Sequence, residues 1–255
     1  MKSRNAFTLT ELLVLIAAGA LVGSVLLASL GDAKEKVQAA ACLSNLREIG
    51  MAISMYANDN NDTYPFGYKG GAAGTDWQLL ICPYMQKICK NTYSSVPTNS
   101  PVFICPSVQT PSGKTTRATY SLHIALSSAH NPAYPPPFND PQRRSKVARP
   151  SQLVLAADGN LGAPAGAPSN AFDAYASFGQ PMITPLEAYN ASAPDNDSPL
   201  RASELANYDP GTSVNLGFIR WRHSGNQAAN FLFCDGHGES LLQTQVKRRN
   251  LRYDP

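Results

Sequence analysis

Charge is scarce in this chain: Asp, Glu, Lys and Arg make up 15% of its 255 residues, and beyond the first six residues 19 basic side chains face 18 acidic ones. A product so close to neutral offers no electrostatic case for nucleic acid. The one basic cluster, Lys247, Arg248, Arg249 and Arg252, is local and reads as a solvated C-terminal face. A phosphate loop, a dinucleotide fingerprint and an HExxH helix are all lacking, which leaves nucleotide-driven and zincin-type chemistry without their residues. Cysteine is present but uneven. Cys42, Cys82, Cys89, Cys105 and Cys234 are five in number, and no spacing among them matches a zinc knuckle or a redox CxxC motif. Cys82 and Cys89 either bridge a small loop or sit as two buried thiols on one helix face. An oxidising compartment would support one or two bridges, whose connectivity spacing does not determine.

What the chain does have is concentrated at its start. Lys2 and Arg4 lie in a short polar leader, after which Ala6-Phe7-Thr8-Leu9-Thr10-Glu11-Leu12-Leu13 opens an apolar run to Gly31. From Leu12 to Leu30 there are 19 residues without a charge, close to the roughly 20 that span a bilayer core. A carboxylate in such a helix costs about 2.5 kcal/mol or more, so Glu11 reads as a functional residue with a partner. A plain membrane anchor and a secretory signal peptide are the competing readings. The signal peptide suffers from an overlong apolar region and from Ala28-Ser29-Leu30, a poor cleavage site.

This segment resembles the class III signal of type IV prepilins and type II secretion pseudopilins. The resemblance implies cleavage between Ala6 and Phe7 by a prepilin peptidase, N-methylation of Phe7, and Glu11 as the fifth mature residue. Ala6 stands where the family mostly has Gly. Phe7 and Glu11 are four residues apart, on one helix face, so the carboxylate can meet an α-amino group of its own or a neighbouring subunit. Buried together, the two charges cost less than either alone. In the family this pairing sets subunit register in a fibre.

Helical spacing continues beyond the apolar run, with Cys42, Leu46, Ile49, Ile53 and Tyr56 at steps of three and four. The pattern predicts one helix through residues 7–57, weakened only locally by Gly19, Gly23, Gly31 and Gly50. Its second half needs a sheet to cover the stripe. Asp59-Asn60-Asn61-Asp62 stops the helix, and Tyr64-Pro65 begins extended chain. Some pseudopilins bind calcium, but this oxygen-rich run lacks the Gly and final Glu of an EF-hand loop, and a terminating turn accounts for it better.

Cys42-Leu43-Ser44-Asn45-Leu46-Arg47-Glu48-Ile49-Gly50 through Pro65 resembles a pilin-like group of planctomycete, verrucomicrobial and lentisphaeral bacteria. The similarity resumes at Phe103-Ile104-Cys105-Pro106-Ser107, Thr119-Tyr120-Ser121 and Pro150-Ser151-Gln152 to Asp158. It closes with Arg222-His223-Ser224-Gly225 and Asn230-Phe231-Leu232-Phe233-Cys234-Asp235-Gly236-His237. The group has nine residues between this His and the Asp-Gly; here eleven separate His223 from Asp235. The two extra residues, near Asn226-Gln227, lengthen a turn and preserve the inward face of the strand.

Residues 228–234 read as a strand, Asp235-Gly236 as a tight turn and Glu239–Leu242 as the return. Residues 131–145 and 160–217, rich in Pro, Ala, Ser, Asn and Gly, read as surface loops or insertions. His223, Asp235 and His237, with Asp158 as a companion, are weak candidates for a metal or catalytic set. A hydrogen-bonded turn explains His223 better, and no nucleophile–base pair is evident.

These observations predict an α+β, pilin-like fold: a long N-terminal helix, its first half transmembrane, packed on an antiparallel sheet with long loops. The expected organisation is leader 1–6, hydrophobic helix 7–31, amphipathic continuation 32–58 and β-rich domain 59–255. The resemblance implies a non-enzymatic subunit without a cofactor, held in the inner membrane with its C-terminal domain in the periplasm. It would then join a type IV pilus-like or type II secretion filament. Its partners would be the peptidase/N-methyltransferase, an inner-membrane assembly platform and other pilin-like subunits. A membrane-tethered periplasmic or surface binding or enzymatic domain is the alternative.

Overall fold

The structure, a computed structural model, describes residues 8–69, 75–85, 101–108, 119–123, 126–127, 140–159, 219–251 and 253. It is α+β: helix α1 spans Leu9–Asp59, and four strands form an antiparallel sheet. The chain divides into two compact units, residues 1–37 and 38–255.

In the first unit α1 begins with a capping box. The Thr8 N–H and hydroxyl donate to Glu11 Oε2 at 2.9 and 2.7 Å, and Glu11 N–H returns to Thr8 Oγ1 at 3.3 Å. The turns that follow are apolar and uncovered. Leu9, Leu12, Leu13, Val14, Leu15, Ile16, Leu21, Val22 and Leu30 are each 50–77% exposed. Among the described residues no helix is long and apolar enough to cross a membrane.

The second unit opens with the amphipathic part of α1, whose stripe lies where the spacing puts it. Cys42, Leu46, Ile49 and Ile53 are buried, and Tyr56 is partly so. The helix ends at Asp59, with Asn61 and Asp62 at positive φ. The terminal oxygens surround an internal cation: Arg144 donates to Asp62 Oδ1 at 2.8 Å and to Asn58 Oδ1 at 2.6 Å. The backbone N–H of Ser145 and the Arg144 guanidinium hold the Asp62 carboxyl below its usual range.

Strands β1 (Tyr68–Lys69) and β2 (Thr75–Asp76) form a small ribbon before the short helix α2 (Trp77–Ile81). The main sheet has the order β3 (Tyr120–Leu122), β4 (Val154–Asp158), β5 (Ala228–Phe233), β6 (Gly238–Leu242), antiparallel throughout. Every residue of β4 and β5 is buried, so the central strands are covered on both faces. Leu232 meets α1 at Gly50, where an added Cβ would stand 2.8 Å from Leu232 Cδ1. The preceding residue, Phe231, points the other way by strand alternation and lies 5.9 Å from Trp221 between ring centroids. Gly50 is therefore a contact point and more than a local weakness.

The terminal hairpin forms as expected, but its turn is one residue longer than Asp235-Gly236. The strand stops at Phe233, Gly236 N–H bonds Phe233 O at 3.0 Å, and Phe233 N–H bonds His237 O at 2.9 Å. Gly236 alone in this turn has positive φ, +93°. That is a type I turn closed by a glycine bulge, which widens the loop to Cys234-Asp235-Gly236. The predicted loop 131–145 is built at its end: Tyr64 N–H bonds Gln142 O at 3.0 Å, and Thr63 pairs with Arg143. Residues 131–139 and 160–217 lie outside the described residues.

Candidate functional site

Cys42 and Cys105 form a disulfide linking α1 to the segment after the 3-10 turn Pro101–Phe103. Beside it stands His223, 1% exposed, with Nε2 3.0 Å from Oδ2 of the fully buried Asp158 and 3.9 Å from Cys105 Sγ. An ionised Asp158 accepts only, so Nε2 carries the proton and Nδ1 is left to accept from Ser107 Oγ at 3.4 Å. Asp158 Oδ2 also accepts the Asn230 backbone N–H at 2.8 Å. Asn230 Nδ2 lies 3.0 Å from both Ala39 O and His223 Nε2. Since Nε2 already has a proton, Ala39 O is its acceptor.

Arg222 completes the cluster. Its Nε is 3.8 Å from Asp158 Oδ1, and its side chain is 6% exposed. The guanidinium also donates to Gly159 O and, at 3.5 Å, to Thr119 O. Burial lowers the Arg222 pKa while the Asp158 carboxylate acts to raise it. On the helix side the Tyr120 hydroxyl donates to Cys42 O at 3.2 Å, and Asn45 Nδ2 donates to Ile104 O at 3.2 Å. Asp158 Oδ1, Arg222 Nε and Nη1 and Asn230 Oδ1 are buried without a hydrogen-bond partner.

Each block quoted from the sequence delivers a residue to this one place: Cys42 and Asn45, then Cys105 and Ser107, Thr119 and Tyr120, Asp158, and Arg222, His223 and Asn230. The turn after His223 carries Ser224, Gly225 and Asn226 at φ of 51°, 65° and 66°, and the His223 N–H bonds Ala228 O at 3.0 Å. His223 is thus the hydrogen-bonded turn residue expected of it, with a buried side chain that the pattern did not foretell.

The weak metal set His223, Asp235 and His237 does not assemble. His237 pairs with Asp235, Nδ1 to Oδ1 at 2.5 Å, on the exposed hairpin turn and stacks on Phe233 at 4.2 Å, whereas His223 turns inward to Asp158. Among the described residues, the potential ligand atoms that do converge belong to Cys42, Cys105 and His223, within 4.8 Å of one another. While the disulfide is closed its sulfurs are not thiolates and do not serve as metal ligands. Spacing does not fix this pairing, and the place of Arg222 and Asn230 in the quoted blocks is the one sequence signal that ties them to it.

Cys82 is disulfide-bonded too, and Cys89 lies outside the described residues. Among the described residues Cys234 is the free cysteine, its thiol pushed up to about 12 by burial against the opposing hydrogen bond of Tyr64. The processing residues Ala6 and Phe7 also lie outside the described residues. Glu11 is described, and its carboxylate is engaged by Thr8, an arrangement readable from Thr8-x-x-Glu11 as a capping box. Comparison with protein-family models, curated proteins and solved structures finds no match for this chain.

Proposed function

We propose that the chain is a pilin-like subunit: a membrane-anchored precursor cut between Ala6 and Phe7 and assembled through its N-terminal helix into a filament. The observation that carries this reading is the uncovered apolar start of α1. Nine large apolar side chains there are 50–77% exposed. Scattered exposed leucines need no explanation, but an apolar surface of this extent marks contact with lipid or with other protein. Glu11 is the one charged residue between Thr8 and Gly31, and it stands four residues after Phe7, the spacing that would put it on one helix face with an α-amine there after cleavage.

The second unit supports the same reading as a presentation domain. Its buried disulfide and ion cluster join the helix to the sheet, which suits a head that must stay attached while the helix is pulled into a bundle. The leader charges Lys2 and Arg4 would otherwise be buried among packed helices, so cleavage precedes assembly.

Intact-mass and N-terminal peptide analysis of protein from native membranes and from sheared surface material tests the proposal. A peptide beginning at N-methylated Phe7, present in the sheared fraction, is the expected result. A chain still beginning at Met1, or one cut near residue 30, overturns it in favour of a tethered or secreted domain.

A further inference from the structure

The cluster around the disulfide has the donor set of a metal site once its sulfurs are freed. We propose that Cys42, Cys105 and His223 form a reduction-gated site for a zinc-like divalent cation, with Asp158 beside the imidazole as its charge partner. This inference is independent of the filament reading, since it uses only residues of the second unit.

The geometry starts close to what a tetrahedral ion needs. The two sulfurs and one His223 ring nitrogen offer ligand atoms within 4.8 Å of one another. Nε2 is 3.9 Å from Cys105 Sγ. Ligands about 2.0–2.3 Å from a tetrahedral zinc lie roughly 3.3–3.8 Å from each other. The large adjustment is therefore the opening of the sulfur–sulfur bond. Asp158 Oδ1 makes no hydrogen bond and faces Arg222 Nε at 3.8 Å, which keeps the carboxylate charge beside the imidazole. Charge closes as well: two thiolates and one carboxylate carry −3, the cation +2 and Arg222, 3.8 Å from Asp158, +1.

The chemistry balances with a dithiol as reductant. One thiolate of that dithiol attacks a disulfide sulfur, and its second thiol resolves the mixed disulfide. The reductant leaves oxidised, and Cys42 and Cys105 leave as two thiols. Cation binding releases both thiol protons. The imidazole proton moves from Nε2 to Nδ1, where Ser107 Oγ at 3.4 Å is placed to accept it as a hydrogen bond. The closed disulfide and the bound cation are thus two ways of holding the helix, the Cys105 segment and the sheet together.

The test uses the full chain in detergent, oxidised and after reduction with a phosphine that is then removed, titrated with Co2+ and with Zn2+. The reduced protein is expected to bind one equivalent of Co2+ with a thiolate-to-metal charge-transfer band, and the oxidised protein to show no such band. Affinity should fall on the order of tenfold or more in His223→Gln and in Asp158→Asn, and remain unchanged in His237→Ala and Cys234→Ser. Zinc X-ray absorption on the reduced wild type provides a readout that depends on no variant folding; two sulfur ligands and one or more lighter ligands are expected. Absence of the band after reduction overturns the site. So does a band unchanged in His223→Gln, or an absorption spectrum showing only sulfur, since these would place the metal on other thiols.

Discussion

Oδ2 of Asp158 accepts the Asn230 backbone N–H at 2.8 Å and lies 3.0 Å from Nε2 of His223, while its other oxygen faces Arg222 at 3.8 Å. One carboxylate thereby holds the central pair of strands to the turn that precedes β5. Asp158→Ala leaves the Arg222 charge buried and unpaired, a change that costs about 3–5 kcal/mol. Against a typical total of roughly 5–15 kcal/mol, chemical denaturation should show a large fall in midpoint. A midpoint within experimental error of wild type would remove the cluster from any part in stability.

Gly50 lets α1 approach the sheet. An added Cβ would meet Leu232 Cδ1 at 2.8 Å and Cδ2 at 3.0 Å, and Leu232 is fully buried. Helix propensity favours alanine over glycine by about 1 kcal/mol, whereas overpacking a filled core costs about 1–3 kcal/mol. Gly50→Ala should be net destabilising. In a double-mutant cycle with Leu232→Ala the penalty should disappear, because the smaller side chain removes the clash. Additive effects would show that the two residues do not meet.

Stability should fall in mild acid because of His123. Its imidazole is fully buried, donates to Leu251 O at 3.0 Å, and is held down at about 4 by desolvation. The unfolded group titrates near 6.5, so between those values the unfolded chain binds more protons and stability declines as pH falls. The loss from this group totals ~3 kcal/mol and levels off below pH 4 and above pH 6.5. Denaturation measured across that window should be less steep in pH for His123→Gln. An unchanged slope would assign the acid sensitivity to other groups.

Under the proposed filament function, Glu11→Ala should block assembly while leaving membrane insertion intact. In the single chain Thr8 engages the carboxylate, and assembly would transfer it to an α-amine. Fractionation of membranes and sheared material distinguishes the two steps. Normal assembly of the variant would end the charge-pairing account of Glu11.

Legibility in the sequence followed the range of the interaction. The stripe Cys42, Leu46, Ile49 and Ile53, the stop at Asp59 and the hairpin around Gly236 all rest on spacing and local backbone preference, and all are present. The turn at Cys234-Asp235-Gly236 departed by one residue because a type I turn needs a glycine bulge to recover the strand twist. For Asp59–Asp62 the sequence showed oxygens but could not show that Arg144, 82 residues after Asp62, would occupy them. His223 and His237 looked equivalent in composition, yet one faces inward to Asp158 and the other sits on an exposed turn beside Asp235.

Local patterning was enough to establish where the helix runs, which of its sides is apolar, and that the final strands form a hairpin, since period and turn chemistry act between near neighbours. The partner of Cys42, the burial of Arg222 and the convergence of six separated segments on Asp158 and His223 came from the folded chain. The disulfide and the Asp158–His223 pair join residues 63 and 65 positions apart, and strand order and register, which bring them together, are global properties that no short window contains.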